Sequence, residues 1–204
     1  AIKALRENLY KYDQKYGWRE EQVFKDFNFL IMRSAFQKEY FYKFPPKLRY
    51  EQIKEENFNK VQNLLSDRPA IDDHEPNIVI GIDNIKIQTL DAKLNLNNVY
   101  WKDADYSWAR RIDSDGSRTT KPTSFRDFIE LGSLIYIGNH NDKKILSQVP
   151  VAEASFVAVD ALEGKLKAYV GGFDFSKSKF DRAANSKLLP GSSIKPFIYA
   201  CAFE

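Results

Sequence analysis

The apolar residues of this 204-residue chain change their spacing at Asn77, and that change requires a mixed fold built in sections. Before it the period is helical. Ile2, Leu5, Leu9 and Tyr12 fall on one helix face, and Gly17 is placed to end that helix. A second apolar stretch, Val23 to Phe44, is dense in Phe and Tyr and is stopped by Pro45-Pro46. Ile53, Phe58, Val61, Leu64 and Leu65 predict a third helix before the polar break from Ser66 to Glu75. Aromatic side chains at helical spacing are read as core or interdomain packing rather than as a base-stacking surface.

From Asn77 the period is two. Ile78, Val79, Ile80 and Ile82, then Ile85 and Ile87, then Leu94 and Leu96, predict short strands with turns at Asp83-Asn84 and Asp91-Ala92. Tyr106 to Arg110 follows, with Trp108 read into an alternating strand, and then a polar loop from Ile112 to Ser124. Phe125 to Gly132 predicts a short helix or turn leading to a strand over Ser133 to Gly138. A turn at Asn139 to Lys143 and a closing strand over Ile145 to Val149 complete the set. Five or so short strands in this span predict a small barrel of the oligonucleotide/oligosaccharide-binding (OB) kind within an α+β chain. A barrel of that kind binds nucleic acid, sugar chains or a protein, or simply spaces two domains. Trp108, Arg110 and Arg111 are candidates for a binding face, with core packing the competing role for Trp108.

The last fifty residues carry a different pattern. Two alternating runs within Ala154 to Gly172, joined by Asp160-x-x-x-Gly164, predict a β-hairpin. A polar loop then leads to Pro190-Gly191-Ser192-Ser193-Ile194-Lys195-Pro196-Phe197. A serine hydroxyl is a poor nucleophile at neutral pH and needs a neighbour to take its proton, and a residue three positions further along a helix stands about one turn away. Ser192 is thus a candidate nucleophile and Lys195 its candidate base. Lysine plays that part only when burial or a nearby positive charge lowers its pKa from about 10.4. Pro190-Gly191 bends the chain before the helix, whose free N–H groups would steady an oxyanion, and Pro196 suits a first helical turn.

The order of these pieces is specific. Hairpin, Val170-Gly171-Gly172-x-Asp174-Phe175, Lys179-Phe180-x-Arg182-Ala183 and Pro190-Gly191-Ser192-Ser193-x-Lys195-Pro196-Phe197-x-Tyr199 resemble the opening of the transpeptidase domain in class A penicillin-binding proteins, nearest to the 1a type. Ser107-Trp108-Ala109-Arg110, the charged loop, Asp127 to Gly132, Ile135-Tyr136-Ile137 and Leu146 to Pro150 resemble the module inserted between the two catalytic regions of those proteins. Ala4-Leu5-Arg6 through Tyr16-Gly17-Trp18-Arg19 resembles the segment leaving their glycosyltransferase domain. The resemblance implies a helical linker over residues 1–73, an OB-like barrel over 74–150 and the start of a serine transpeptidase domain, of penicillin-binding/β-lactamase-like fold, over 151–204. It implies a parent cell-wall synthase that polymerises glycan strands and cross-links peptidoglycan at D-Ala-D-Ala, with Ser192 acylated and Lys195 assisting.

Implied partners are stem peptides, glycan strands and β-lactams, with an outer-membrane lipoprotein activator or the glycan strand as alternatives for the barrel. The implied location is the periplasmic side of the inner membrane. The family's serine-x-asparagine and lysine-threonine-glycine motifs do not occur in this chain, where Lys121-Pro122-Thr123 is the nearest imitation of the latter. The chain alone is therefore expected to be inactive, and a non-catalytic interaction module is the alternative reading.

Composition narrows the remaining classes. With 31 basic and 28 acidic side chains the net charge is +3, which argues against a dedicated nucleic-acid surface. No apolar run is long enough to span a membrane and no signal-peptide pattern occurs, so any anchor or export signal is expected before Ala1. Cys201 is the only cysteine, which excludes an internal disulfide and cysteine-pair zinc sites, and its apolar helix predicts a buried core position. The two histidines, His74 and His140, read as ordinary loop residues, so no metal cluster or histidine triad is expected, and serine acyl transfer needs no cofactor. Phe156, Val159, Tyr169, Phe197 and Tyr199 are expected to be left exposed if the final segment lacks further strands.

Overall fold

The computed structural model describes residues 1–19, 23–24, 55–112 and 115–204. The expected helix from Val23 to Phe44 lies outside the described residues except for its first two. The chain divides into two compact units, Arg6–Glu153 and Ala1–Leu5 with Ala154–Glu204.

The larger unit begins in helix α1, Ile2–Gln14. The helix ends where the Gly17 amide reaches the Gln14 carbonyl and Gly17 adopts a left-handed φ of 81°. A Cβ at this position would lie 2.3 Å from the Arg110 carbonyl oxygen. Glycine is therefore required both by the turn and by the close backbone approach. Helix α2, Glu55–Ser66, packs on the first two strands through a face that includes the buried Val61 and Leu65.

The strands are β1 (Glu75–Ile82), β2 (Lys86–Asp91), β3 (Leu96–Tyr100), β4 (Leu134–His140) and β5 (Lys143–Ser147). They form one antiparallel sheet in the order β3-β2-β1-β4-β5. Local side chains set its turns. Asp83 accepts from the Ile85 and Lys86 amides at 2.8 Å, and Asp91 from the Lys93 and Asn95 amides. Asn141 and Asp142, both with positive φ, make the two-residue turn between β4 and β5.

β1 bulges at Ile80, between the pairs Val79–Thr89 and Gly81–Gln88, which adds twist at the centre of the sheet. The edge strands β3 and β5 consequently approach each other without forming a ladder. Side chains span the gap: Lys143 Nζ donates to Asp103 Oδ1 at 2.9 Å, and the Leu146 amide donates to the Tyr106 hydroxyl at 3.2 Å. The result is a curled antiparallel half-barrel rather than a fully closed barrel, consistent with an OB-like fold.

The strand residues Ile78, Ile80, Ile87, Leu90, Val99 and Ile137 share a core with Val61 and Leu65 and with the aromatic group Trp18, Tyr106, Phe125 and Phe128. Trp101 meets Phe125 edge-on at 5.0 Å. Residues 106–110 form turns rather than the expected strand, with the Ala109 amide bonded to the Tyr106 carbonyl and the Arg110 amide to that of Trp108. Phe125–Asp127 is a single 3-10 turn, closed by a capping box between Ser124 and Asp127.

The smaller unit contains the expected hairpin, β6 (Phe156–Val159) with β7 (Leu166–Val170), as a two-stranded sheet. Asp160 accepts from the Leu162 and Glu163 amides, and Gly164 takes the left-handed conformation. Helix α3 (Arg182–Asn185), a 3-10 turn over Gly191–Ile194 and helix α4 (Lys195–Phe203) follow. Helix α4 has no buried residue, and Phe197, Tyr199 and Phe203 are exposed. Cys201 is exposed as well, contrary to the expected core position, because no described element covers its helix.

Burial pushes the Tyr106 hydroxyl up to about 12, so it is a neutral acceptor for the Leu146 amide. Replacing Tyr106 with Phe leaves that buried N–H without its acceptor and is expected to lower stability by about 1–3 kcal/mol in a urea titration.

Candidate functional site

Ser192 lies in the 3-10 turn that opens helix α4, and Lys195 is the first residue of that helix. Gly191 adopts a left-handed φ of 53°, which lets the chain reverse after Pro190. The Lys195 amide donates to the Ser192 carbonyl, and Pro196 occupies the first helical turn, where its missing N–H costs nothing. Ser192 and Lys195 therefore stand three residues apart at one helix entrance. Both side chains are exposed, and no hydrogen bond joins them. The described residues leave the lysine unburied.

What holds the polar loop before this entrance is Asp181, which sequence reading passed over. Its Oδ2 accepts from the Tyr169 hydroxyl at 2.6 Å, and its Oδ1 from the Ala183 and Ala184 amides as the N-cap of α3. The Tyr169 hydrogen bond, followed by the helix amides, holds its carboxyl below the usual range. Beside it, the Arg182 amide donates to the Gly171 carbonyl at 2.8 Å. A Cβ at Gly171 would come within 2.6 Å of Asp181 Oδ1. The residues of Val170-Gly171-Gly172 and Phe180-Asp181-Arg182 thus brace one another, fixing hairpin to loop. The available signal was Asp181 directly before Arg182-Ala183-Ala184, an N-cap pattern.

In the larger unit the trio Trp108, Arg110 and Arg111 is split. The Trp108 indole is half-buried, packs on the core and lies 6.0 Å from Trp18. Arg110 borders a surface cleft beside it. Arg111 turns away, donating from Nη2 to the Phe128 carbonyl at 3.2 Å. The Thr123 amide and hydroxyl both donate to Asp127, so Lys121-Pro122-Thr123 belongs to a capped loop of the half-barrel.

His74 differs from the expected loop residue. It is buried, with its ring 4.6 Å from that of Tyr10 and its Nδ1 2.7 Å from the Tyr10 hydroxyl and 2.8 Å from Asp73 Oδ1. Gly138 makes room for it, since a Cβ there would stand 2.8 Å from His74 Nε2. Asp72, Asp73 and His74 bring their ligand atoms within 4.8 Å of one another. Arg6 ion-pairs with Asp72 and Tyr10 bonds His74, so the cluster's polar demands are met inside the fold. His140, at the end of β4, is exposed. No helix among the described residues is long and apolar enough to cross a membrane.

Comparison with known proteins agrees with this architecture. Residues 46–152 match the family model described as the penicillin-binding protein OB-like domain. The chain belongs to the penicillin-binding proteins that carry this domain, of the class A, 1a type. Along its whole length it is 31% identical to penicillin-binding protein 1A of Vibrio cholerae, covering 22% of that protein. It is 28% identical to penicillin-binding protein 1A of Pseudomonas aeruginosa, of which it covers 21%. The crystal structure of penicillin-binding protein 1A from Haemophilus influenzae superimposes with a TM-score of 0.65 at 26% identity, over 98% of this chain and 24% of that one. The chain thus spans about a fifth of the curated relatives it matches.

Burial holds His74 below its ordinary value of 6.5, outweighing the opposite pull of Asp73 and Asp72. The unfolded chain then binds the extra proton, so this contribution to stability is complete above about pH 6.5 and is lost as pH falls toward the lowered folded value. Melting temperatures taken between about pH 7.5 and 5 should fall for the wild type, with its margin over His74→Gln shrinking across that window. A margin independent of pH contradicts this.

Proposed function

We propose that the chain is part of a bifunctional bacterial cell-wall synthase, anchored in the inner membrane and acting on its periplasmic face. Residues 1–73 form the linker from a glycosyltransferase domain, 74–150 the OB-like module, and 151–204 the start of the transpeptidase domain. The observation that carries this reading is the serine-x-x-lysine pair at a helix entrance, preceded by the braced hairpin, in a chain similar along its whole length to 1A penicillin-binding proteins.

In the complete enzyme Ser192 Oγ attacks the carbonyl carbon between the two D-Ala residues of a stem peptide as Lys195 accepts its proton. The C–N bond breaks, the terminal D-Ala leaves with a proton returned by Lys195, and an ester to Ser192 remains. The amine of a neighbouring strand then attacks that ester, forming the cross-link and releasing the serine. A β-lactam stops the cycle at the ester. Lys195 is exposed in this chain, and on this reading the rest of the domain provides its burial and the remaining catalytic motifs. The chain alone should then be inactive. The exposed Phe156, Val159, Tyr169, Phe197 and Tyr199 are the surface such a domain would cover.

A second reading is supported by the self-contained core of the half-barrel: the module acts as a non-catalytic docking platform for a lipoprotein activator or a glycan strand. Binding measurements with both classes separate these occupants, and binding to neither leaves a spacer.

Mass spectrometry of the full-length protein treated with labelled penicillin tests the main proposal. A single adduct on the peptide containing Ser192, abolished by Ser192→Ala, is expected. An adduct that persists in Ser192→Ala rejects the assignment.

A further inference from the structure

Between the end of helix α1 and the turns after β3 lies a cleft of about 260 Å³, bordered by Lys15, Trp108, Arg110, Arg118 and Lys121 with Ser107. Gly17 brings the two walls together. Its Cα stands against the Arg110 carbonyl, to which the Trp18 amide donates at 2.8 Å. The Arg118 guanidinium donates to the Lys15 carbonyl and so pins the third wall. Four cations thus converge beside one indole.

Among the described residues no carboxylate forms an ion pair with any of the four. Asp13 is engaged by Arg19, and Asp105, which feels the Lys121 charge, caps the Ser107 amide. Like charges held together repel, and an anion bound among them relieves that cost. The guanidinium groups suit a carboxylate, and the indole offers an apolar face to a ring.

We infer that this cleft binds the carboxylate-bearing sugar of an acidic glycan, with Trp108 under the ring and Arg110, Arg118 and Lys121 around the acid group. Its volume is just below the roughly 300 Å³ at which drug-sized sites begin, so it takes one ring-sized unit. Nucleic acid is the other polyanion with rings, but single-strand sites on such folds extend over roughly four or more nucleotides along a groove, and this is a single recess. The cleft is also formed by a helix end and the turns after β3, not by the strand face through which OB folds hold polymers. The choice of a sugar acid rests on the cell-wall reading above, since a muramic acid unit of that polymer keeps a free lactyl carboxylate wherever no stem peptide is amide-linked to it.

Calorimetry on the full-length protein tests the inference with two probes: the disaccharide of N-acetylglucosamine and N-acetylmuramic acid, and its neutral counterpart chitobiose. The acidic disaccharide should bind at least about tenfold more tightly, as expected for a charge-assisted contact. Lys121→Gln and Arg110→Gln should each remove about three- to tenfold of that preference and leave chitobiose binding unchanged, with melting curves verifying that both variants fold. Equal binding of the two sugars, no effect of either variant, or tighter binding of a single-stranded oligonucleotide overturns it. Penicillin acylation of the same wild-type sample separates the failures. Acylation of Ser192 without acid selectivity rejects this site alone, and selectivity without acylation rejects the transpeptidase reading.

Discussion

A single buried carboxylate organises the larger unit. Asp13, 3% exposed near the end of α1, receives four donors on its two oxygens. Arg19 supplies both terminal nitrogens of its guanidinium, Nη1 and Nη2, at 2.7 Å, Gln148 its side-chain amide at 2.8 Å, and Val151 its backbone N–H at 3.1 Å. A carboxylate has about four lone-pair sites, so its capacity is filled. The partners are tied in turn: Gln148 accepts from the Arg19 amide and donates to the Gly17 carbonyl, and Arg19 also donates to the Val149 carbonyl. Charge buried without such a set would cost several kcal/mol. The clamp therefore closes only when helix end, Gly17 turn and the segment after β5 are in place together. It also sets Gly17 against Arg110, and with it the walls of the basic cleft.

The half-barrel is built on a related logic. Its sheet curls through the bulge in β1, and its open seam is bridged by Tyr106 and by the Lys143–Asp103 pair rather than by a ladder. Aromatic side chains fill the space that a ladder would have narrowed, which is why Trp101, Tyr106, Phe125 and Phe128 contact one another there. The smaller unit uses the same device on a lesser scale. Asp181 braces its loop, but α4 keeps no buried face, so the unit orders its chain locally while leaving apolar area in water.

Features that depend on neighbours in sequence were legible. The switch of period at Asn77, the turn residues Asp83, Asp91 and Asp160, and the glycines at 17 and 164 all act within a few positions of themselves, and the strands and hairpins fall close to where those signals put them. Features that depend on a distant partner were not. Asp13 reads as one more polar residue on an amphipathic helix until Gln148 and Val151 arrive from more than a hundred residues away. His74 reads as loop because Tyr10 and the gap at Gly138 are remote in the chain. Cys201 shows the converse, since an apolar helix signals burial only if something covers it. The helix entrance at Ser192–Lys195 was legible for the same local reason as the turns, since Pro190, Gly191 and Pro196 act within a few positions of it.

Amide hydrogen exchange in Asp13→Asn tests the clamp most directly. The account predicts that the Val151 and Trp18 amides lose protection by about a hundredfold, the loss of roughly 3 kcal/mol expected for breaking a buried pair, while the amides of the β1–β2 ladder keep theirs. Unchanged protection at Val151 and Trp18 would contradict it.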